Sequence, residues 1–173
     1  MARDAAARQS GVDDKSVKLS AAEGAKGSYQ PGTITFAARK GKSIDLARLR
    51  ADIQETRLGK RTSSKVTYLE VAATGQVVAS GKELLLKVAG TKEQFLLGEN
   101  ANAKPREGEK TALGRLRDAV GKGENVMSVT GRVEGWSGTW PAVLKALEAE
   151  EKKEPGKRKP ARLFVKDFEV AKK

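Results

Sequence analysis

The stretch that most constrains the fold is residues 125–134, Asn-Val-Met-Ser-Val-Thr-Gly-Arg-Val-Glu. Met127, Val129, Gly131 and Val133 fall on one side of an extended chain; Ser128, Thr130, Arg132 and Glu134 fall on the other. Side chains alternate across a strand, so this period of two describes a half-buried strand. Three strand-like runs and a short helical pattern precede it, and one more strand follows. That order points to a small β-barrel.

The first of those runs lies within residues 66–78. Leu69, Val71 and Ala73 share a face, and Thr74-Gly75 marks a bend of the kind that lets a small sheet curl. Ser80-Gly81 is a tight turn. Leu84, Leu86 and Val88 then alternate with Leu85 and Lys87, Gly90-Thr91 turns the chain again, and Phe95 and Leu97 form a third short strand. The short connections make these three a meander. Residues 98–109 are polar and read as a loop. Leu113, Leu116 and Val120, with Ala112 and Ala119, predict a helix over 109–122 that Gly121 and Gly123 end. After the central strand, residues 135–161 are long for a loop. Thr139 is a candidate cap and Pro141 suits a first turn; Trp140, Val143, Leu144 and Leu147 follow at helical spacing, up to a stop at Pro155-Gly156. A last strand spans 162–170, with Phe164, Phe168 and Val170 expected on one face.

Ahead of the barrel, residues 1–31 carry five basic and four acidic residues without sustained periodicity and read as a mobile leader. Within it, residues 15–24 suit at most a weak helical turn. Residues 33–38 fit a short strand, Arg39-Lys40-Gly41-Lys42 a basic loop, and Ser43 a helix N-cap. Leu46, Leu49 and Ile53 follow at helical spacing, with Gly59 as the stop. Residues 39–61 hold eight basic and three acidic residues, the densest positive block. The run Gly-Thr-Ile-Thr-Phe, a loop, and a helix opening Ile-Asp-Leu-Ala-Arg-Leu resemble the first half of a heavy-metal-associated domain, which is ferredoxin-like. The resemblance covers about 25 residues. It implies a metal-binding pair of cysteines in the loop before the helix. That loop, residues 38–42, has none, so metal transfer does not carry over.

Three meander strands, a helix, a strand and a final strand resemble the OB-fold, a five-stranded partly open barrel. The expected fold class is therefore α+β, an OB-like barrel with an N-terminal strand–helix extension. A ferredoxin-like α+β sandwich that takes in the extension is the alternative. The domains divide as leader 1–31, extension 32–61 and barrel 62–173. The resemblance implies oligonucleotide binding across barrel strands two and three, and through loops here at 79–82 and 135–161.

Composition decides which functions remain. The chain has neither Cys nor His. Disulfides, thiolate chemistry, Cys/His zinc sites and His-based acid–base catalysis are excluded. No carboxylate pair has motif spacing and the glycines form no phosphate-binding fingerprint, so the expectation is a non-enzymatic binding module without a cofactor or bound metal. No apolar run is long enough to span a membrane, and the N-terminus lacks the apolar core of a secretory signal. That favours the cytoplasm and leaves an extracytoplasmic home open. The formal charge of +12 favours an anionic partner. Candidate nucleic-acid contacts are Arg39, Lys40, Lys42, Arg57, Lys60, Arg61, Lys152, Lys153, Lys157, Arg158 and Lys159, with Trp136 as a stacking surface. Tyr68 and Phe95 are the aromatic residues nearest the expected binding strands; Phe95 and Trp140 read better as core. The alternative function is a protein-interaction or accessory module, related to metal-handling scaffolds but without their ligands, whose barrel or sheet edge docks a partner.

Overall fold

A computed structural model of the chain describes residues 2–21, 32–58, 62–63, 66–101, 105, 107–134 and 160–171. Two compact units divide it, Met1–Val66 and Thr67–Lys173. Seven basic charges in excess fall to the first and five to the second.

In the second unit, alternation becomes a ring of strands. β5 (Glu70–Ser80), β6 (Glu83–Val88) and β7 (Gln94–Gly98) form the expected antiparallel meander. Helix α3 (Ala112–Gly121) intervenes before β8 (Val126–Val133) and β9 (Ala161–Val170). Hydrogen bonding runs β5-β6-β7-β9-β8 and returns from β8 to β5, a ring-like pattern in a mostly antiparallel five-stranded sheet. Only β7 and β9 are parallel in this sheet, over four residue pairs, as many as join β6 to β7.

β5 serves two neighbours. Its first part pairs with β8 from Glu70↔Arg132 to Gln76↔Val126, and its second part pairs with β6 from Gly75↔Val88 to Ser80↔Glu83. The two ladders overlap at Gly75 and Gln76. A Cβ on Gly75 would lie 2.0 Å from the Lys87 carbonyl oxygen. Only glycine lets the strand bend from one partner to the other there. On β5 to β8 the interior is drawn from the apolar set read from the sequence, and β9 adds Leu163 and Val165, which were not in it. Leu86, Met127, Val129 and Leu163 have no exposed surface, each worth roughly 1.5–3 kcal/mol of burial. α3 adds Leu113 and Leu116. Its N-cap is Thr111, whose side-chain oxygen accepts from the Gly114 N–H at 3.1 Å.

β9 departs from the expected pattern. Leu163 and Val165 are the buried residues, whereas Phe164 is half-buried and pairs with exposed Arg132. Val165 pairs with Gly131 and Asp167 with Thr130, so Lys166 is an extra residue. This bulge reverses the alternation. Beyond it Phe168 and Val170 pair with the buried Val129 and Met127. Phe168 and Val170 do share a face, but Phe164 lies on the other.

The first unit corrects two expectations. Residues 1–31 are no simple leader: α1 (Ala2–Ala7) and β1 (Val12–Ala21) come from them. β1 pairs antiparallel with β2 (Gly32–Ala38) to make a two-stranded sheet, and α1 packs on β1 and on α2 (Leu46–Glu55). The ladder breaks between Asp13 and Lys18. There the Ser16 hydroxyl stands in for backbone, accepting from the Ala37 N–H at 2.8 Å and donating to the Asp13 carbonyl at 2.6 Å. The cap of α2 is Asp45, not Ser43; its carboxylate accepts from the Arg48 N–H at 3.0 Å. Ser43 instead lies against the chain at Gly11, where an added Cβ would sit 2.1 Å from the Ser43 carbonyl oxygen. The unit's core is small: Ala5, Ala6, Val12, Val17, Leu49 and Ile53. Arg50 is fully buried beside them, and burial pushes its pKa below the ordinary value. The Gln9 side-chain amide donates to the Asp52 carboxylate. A two-residue pair, β3 (Arg57–Leu58) with β4 (Thr62–Ser63), completes the unit. No helix among the described residues is long and apolar enough to cross a membrane.

Candidate nucleic-acid interface

The first cluster read from the sequence is a real structural unit. Arg39, Lys40 and Lys42 occupy one turn after β2. The Lys42 N–H donates to the Arg39 carbonyl at 2.9 Å, and the Arg39 N–H donates to the Gly11 carbonyl at 2.9 Å. The Arg39 guanidinium pairs with Asp14 at 3.2 Å. Lys40 and Lys42 are exposed and make no ion pair with a described residue. Arg57 opens β3. Lys60, Arg61, Trp136, Lys152, Lys153, Lys157, Arg158 and Lys159 lie outside the described residues, as does the helix expected around Trp140. The last six fall in the sequence between β8 and β9.

On the barrel, the face expected to bind has an aliphatic centre. Outward residues of β6 are Glu83, Leu85 and Lys87; those of β7 are Gln94, Leu96 and Gly98. Phe95 points inward and is 5% exposed, as its core reading required. Val78, Leu85 and Leu96 form a half-buried cross-strand row. This surface offers no aromatic ring to a base.

The aromatic residues sit elsewhere. Cross-strand pairing sets out one outward row as Glu70, Arg132, Phe164 and Gly98, on β5, β8, β9 and β7 in turn. The Val133 N–H donates to the Leu69 carbonyl at 3.0 Å, which extends the β5–β8 ladder and brings Tyr68 alongside. The Arg132 guanidinium carbon lies 4.5 Å from the centroid of the Tyr68 ring, a cation–π stack. Tyr68 is 44% exposed. Gly98 has no side chain, and Phe164 and Arg162 fill the space above it: a Cβ there would meet the Phe164 ring at 3.2 Å and the Arg162 stem at 3.0 Å.

Acidic residues hold two of the cations in place. Arg162 pairs with Glu83 at 3.2 Å and with Glu134 at 3.7 Å, and the Glu134 N–H donates to the Arg162 carbonyl at 2.9 Å. Lys166, the bulged residue, reaches Glu70 at 3.2 Å. Arg132, Arg162 and Lys166 are thus matched in number by Glu70, Glu83 and Glu134. The sequence pointed to Tyr68 alone. Arg132 and Phe164 were hidden because they meet only across a strand pair, and the bulge disguised the side on which Phe164 emerges. No protein-family model matches the chain, and neither curated proteins nor solved structures give a match.

Proposed function

We propose that the protein is a non-enzymatic nucleic-acid-binding module built on an OB-like barrel. The observation that carries this reading is the strand order β5-β6-β7-β9-β8, with β7 parallel to β9 and a helix between the third and fourth strands. That order fits the five-stranded Greek-key barrel that serves oligonucleotides in many settings. The excess of 12 positive charges supplies the phosphate attraction. The basic turn of Arg39, Lys40 and Lys42 is its best-defined described component, and the remaining basic candidates contribute to the same neutralisation.

The test is binding of labelled oligonucleotides across a salt series. Affinity falling steeply with added salt supports phosphate neutralisation. Replacing Lys40 and Lys42 by Gln reduces the slope by about 2, since each lost phosphate contact lowers it by about 1. Absence of binding at low salt, where attraction is strongest, removes this reading.

One observation favours a second reading, a protein-docking module. β2 pairs only with β1 among the described strands, and five of its seven residues are exposed. An unpaired strand edge can accept an extended segment of another chain. Retention of a protein partner in high salt, with no oligonucleotide binding in low salt, favours this second reading.

A further inference from the structure

Resting on the nucleic-acid reading, we infer that the ligand is single-stranded and that its bases stack on the outer face of β8 and β9, on Phe164 and on the Tyr68–Arg132 pair. The face of β6 and β7 is not the stacking site.

Three features of the surface lead to this. The first is the distribution of flat groups. Among outward residues of the barrel strands, β6 and β7 present aliphatic, amide and charged side chains, whereas Phe164, Arg132 and the adjoining Tyr68 gather within two neighbouring rows. Aromatic rings and guanidinium planes are the groups on which unstacked bases lie.

The second is preorganisation. Arg132 is held over Tyr68 at 4.5 Å, so its plane is oriented before a ligand arrives and less side-chain freedom is lost on binding. Phe164 is braced from beneath by Gly98. Arg162, clamped between Glu83 and Glu134, lies beside it.

The third is charge. Arg132, Arg162 and Lys166 are matched by three glutamates, and the exposed Asp167 and Glu169 lie further along the same face, so the face adds no positive excess of its own. Phosphate attraction must come from other basic residues, and what the patch adds is contact with bases. A duplex keeps its base faces inside the stack and cannot use such a surface; a single strand can.

The experiment uses the full chain and three probes of equal length: a single-stranded oligonucleotide, an abasic strand with the same number of phosphates, and a duplex. The expected order is single strand tightest, by about fivefold or more per stacked base over the abasic strand. Tyr68→Leu and Phe164→Leu each lose about fivefold or more for the normal strand and leave the abasic strand unchanged. Thermal melting of both variants establishes that they fold. Tyr68 is exposed and ahead of β5, so its replacement remains informative if Phe164→Leu disturbs the barrel.

Equal binding of normal and abasic strands overturns the stacking site and leaves phosphate neutralisation standing. So does preference for the duplex, or a Tyr68→Leu variant that binds like the parent. Failure of all three probes to bind in low salt overturns the nucleic-acid reading itself.

Discussion

β8 in the second unit and β2 in the first are both short alternating strands, yet their surroundings differ. β8 is hydrogen-bonded along both edges, to β5 and β9, and four of its eight residues are buried. Among the described strands β2 pairs with β1 alone, and its most sheltered residues, Ile34 and Phe36, are half-buried. The same local pattern therefore produces a core strand where pairing returns on itself and a largely wet strand where it does not. A strand's burial is set by how many neighbours hold its inward face against the interior. Amide hydrogen exchange should separate the two, with slow exchange along β8 and fast exchange along β2.

The largest difference between the two units should follow from one steric insult applied to both. Gly75 and Gly11 each face a carbonyl oxygen that an added Cβ would approach to 2.0 Å and 2.1 Å. Gly75 is fixed by two ladders at once, so neither neighbour can move without opening the other. Gly75→Ala should exceed the roughly 3 kcal/mol of ordinary overpacking and remove the barrel's cooperative melting transition. Gly11→Ala should cost less, because Ser43 lies in an irregular connection that can shift. Calorimetry with residue-resolved exchange would check which unit loses protection. Equal losses would show that the first unit is as rigid as the ring.

Next in size are matched cavities. Leu86 and Leu49 are both wholly buried, so Leu→Ala removes the same atoms from each unit. The cost of such a change depends on how far the surroundings collapse. Leu86→Ala should cost about 4 kcal/mol inside the ring, and Leu49→Ala about 2 kcal/mol in the smaller core where α2 packs on α1. Denaturant unfolding of each variant measures both.

These contrasts also explain what the sequence disclosed. Where a strand has two neighbours and no bulge, a period of two survives intact: β6, β7 and β8 were legible from Leu84 and Leu86, from Phe95 and Leu97, and from Met127 through Val133. β1 was not, because its buried Val12 and Val17 are five residues apart, an odd spacing imposed by the Ser16 bulge. α1 escaped notice because it docks through Ala5 and Ala6, which mark no apolar stripe. Of the candidate interface, the basic turn at 39–42 was legible because its residues are consecutive. The Arg132–Phe164 neighbourhood was not, since it is made by register and by the Lys166 bulge, and neither is written in local composition.

Helix caps should give smaller, nearly equal effects. Asp45 caps α2 and Thr111 caps α3 through the same geometry, an oxygen accepting the N–H three residues on. Asp45→Ala and Thr111→Ala should each cost about 1 kcal/mol. A marked difference would mean that the helix of one unit contributes more to its cooperativity than the other.

The smallest stability effect should come from the barrel's exposed ion pairs, and there the comparison turns from folding to binding. Glu70 meets Lys166 at 3.2 Å across the outer face, much as Asp14 meets Arg39 at 3.2 Å in the first unit. Pairs so exposed contribute about 0.5 kcal/mol or less. Glu70→Gln and Asp14→Asn should therefore scarcely move the melting temperature. Each nevertheless releases a cation for a phosphate, and each released contact should steepen the salt dependence of oligonucleotide binding by about 1. If only Asp14→Asn steepens it, the backbone is engaged by the basic turn alone and the barrel contributes through base contacts. If both do, the strand's phosphates also pass along the Lys166 bulge, beside Phe164.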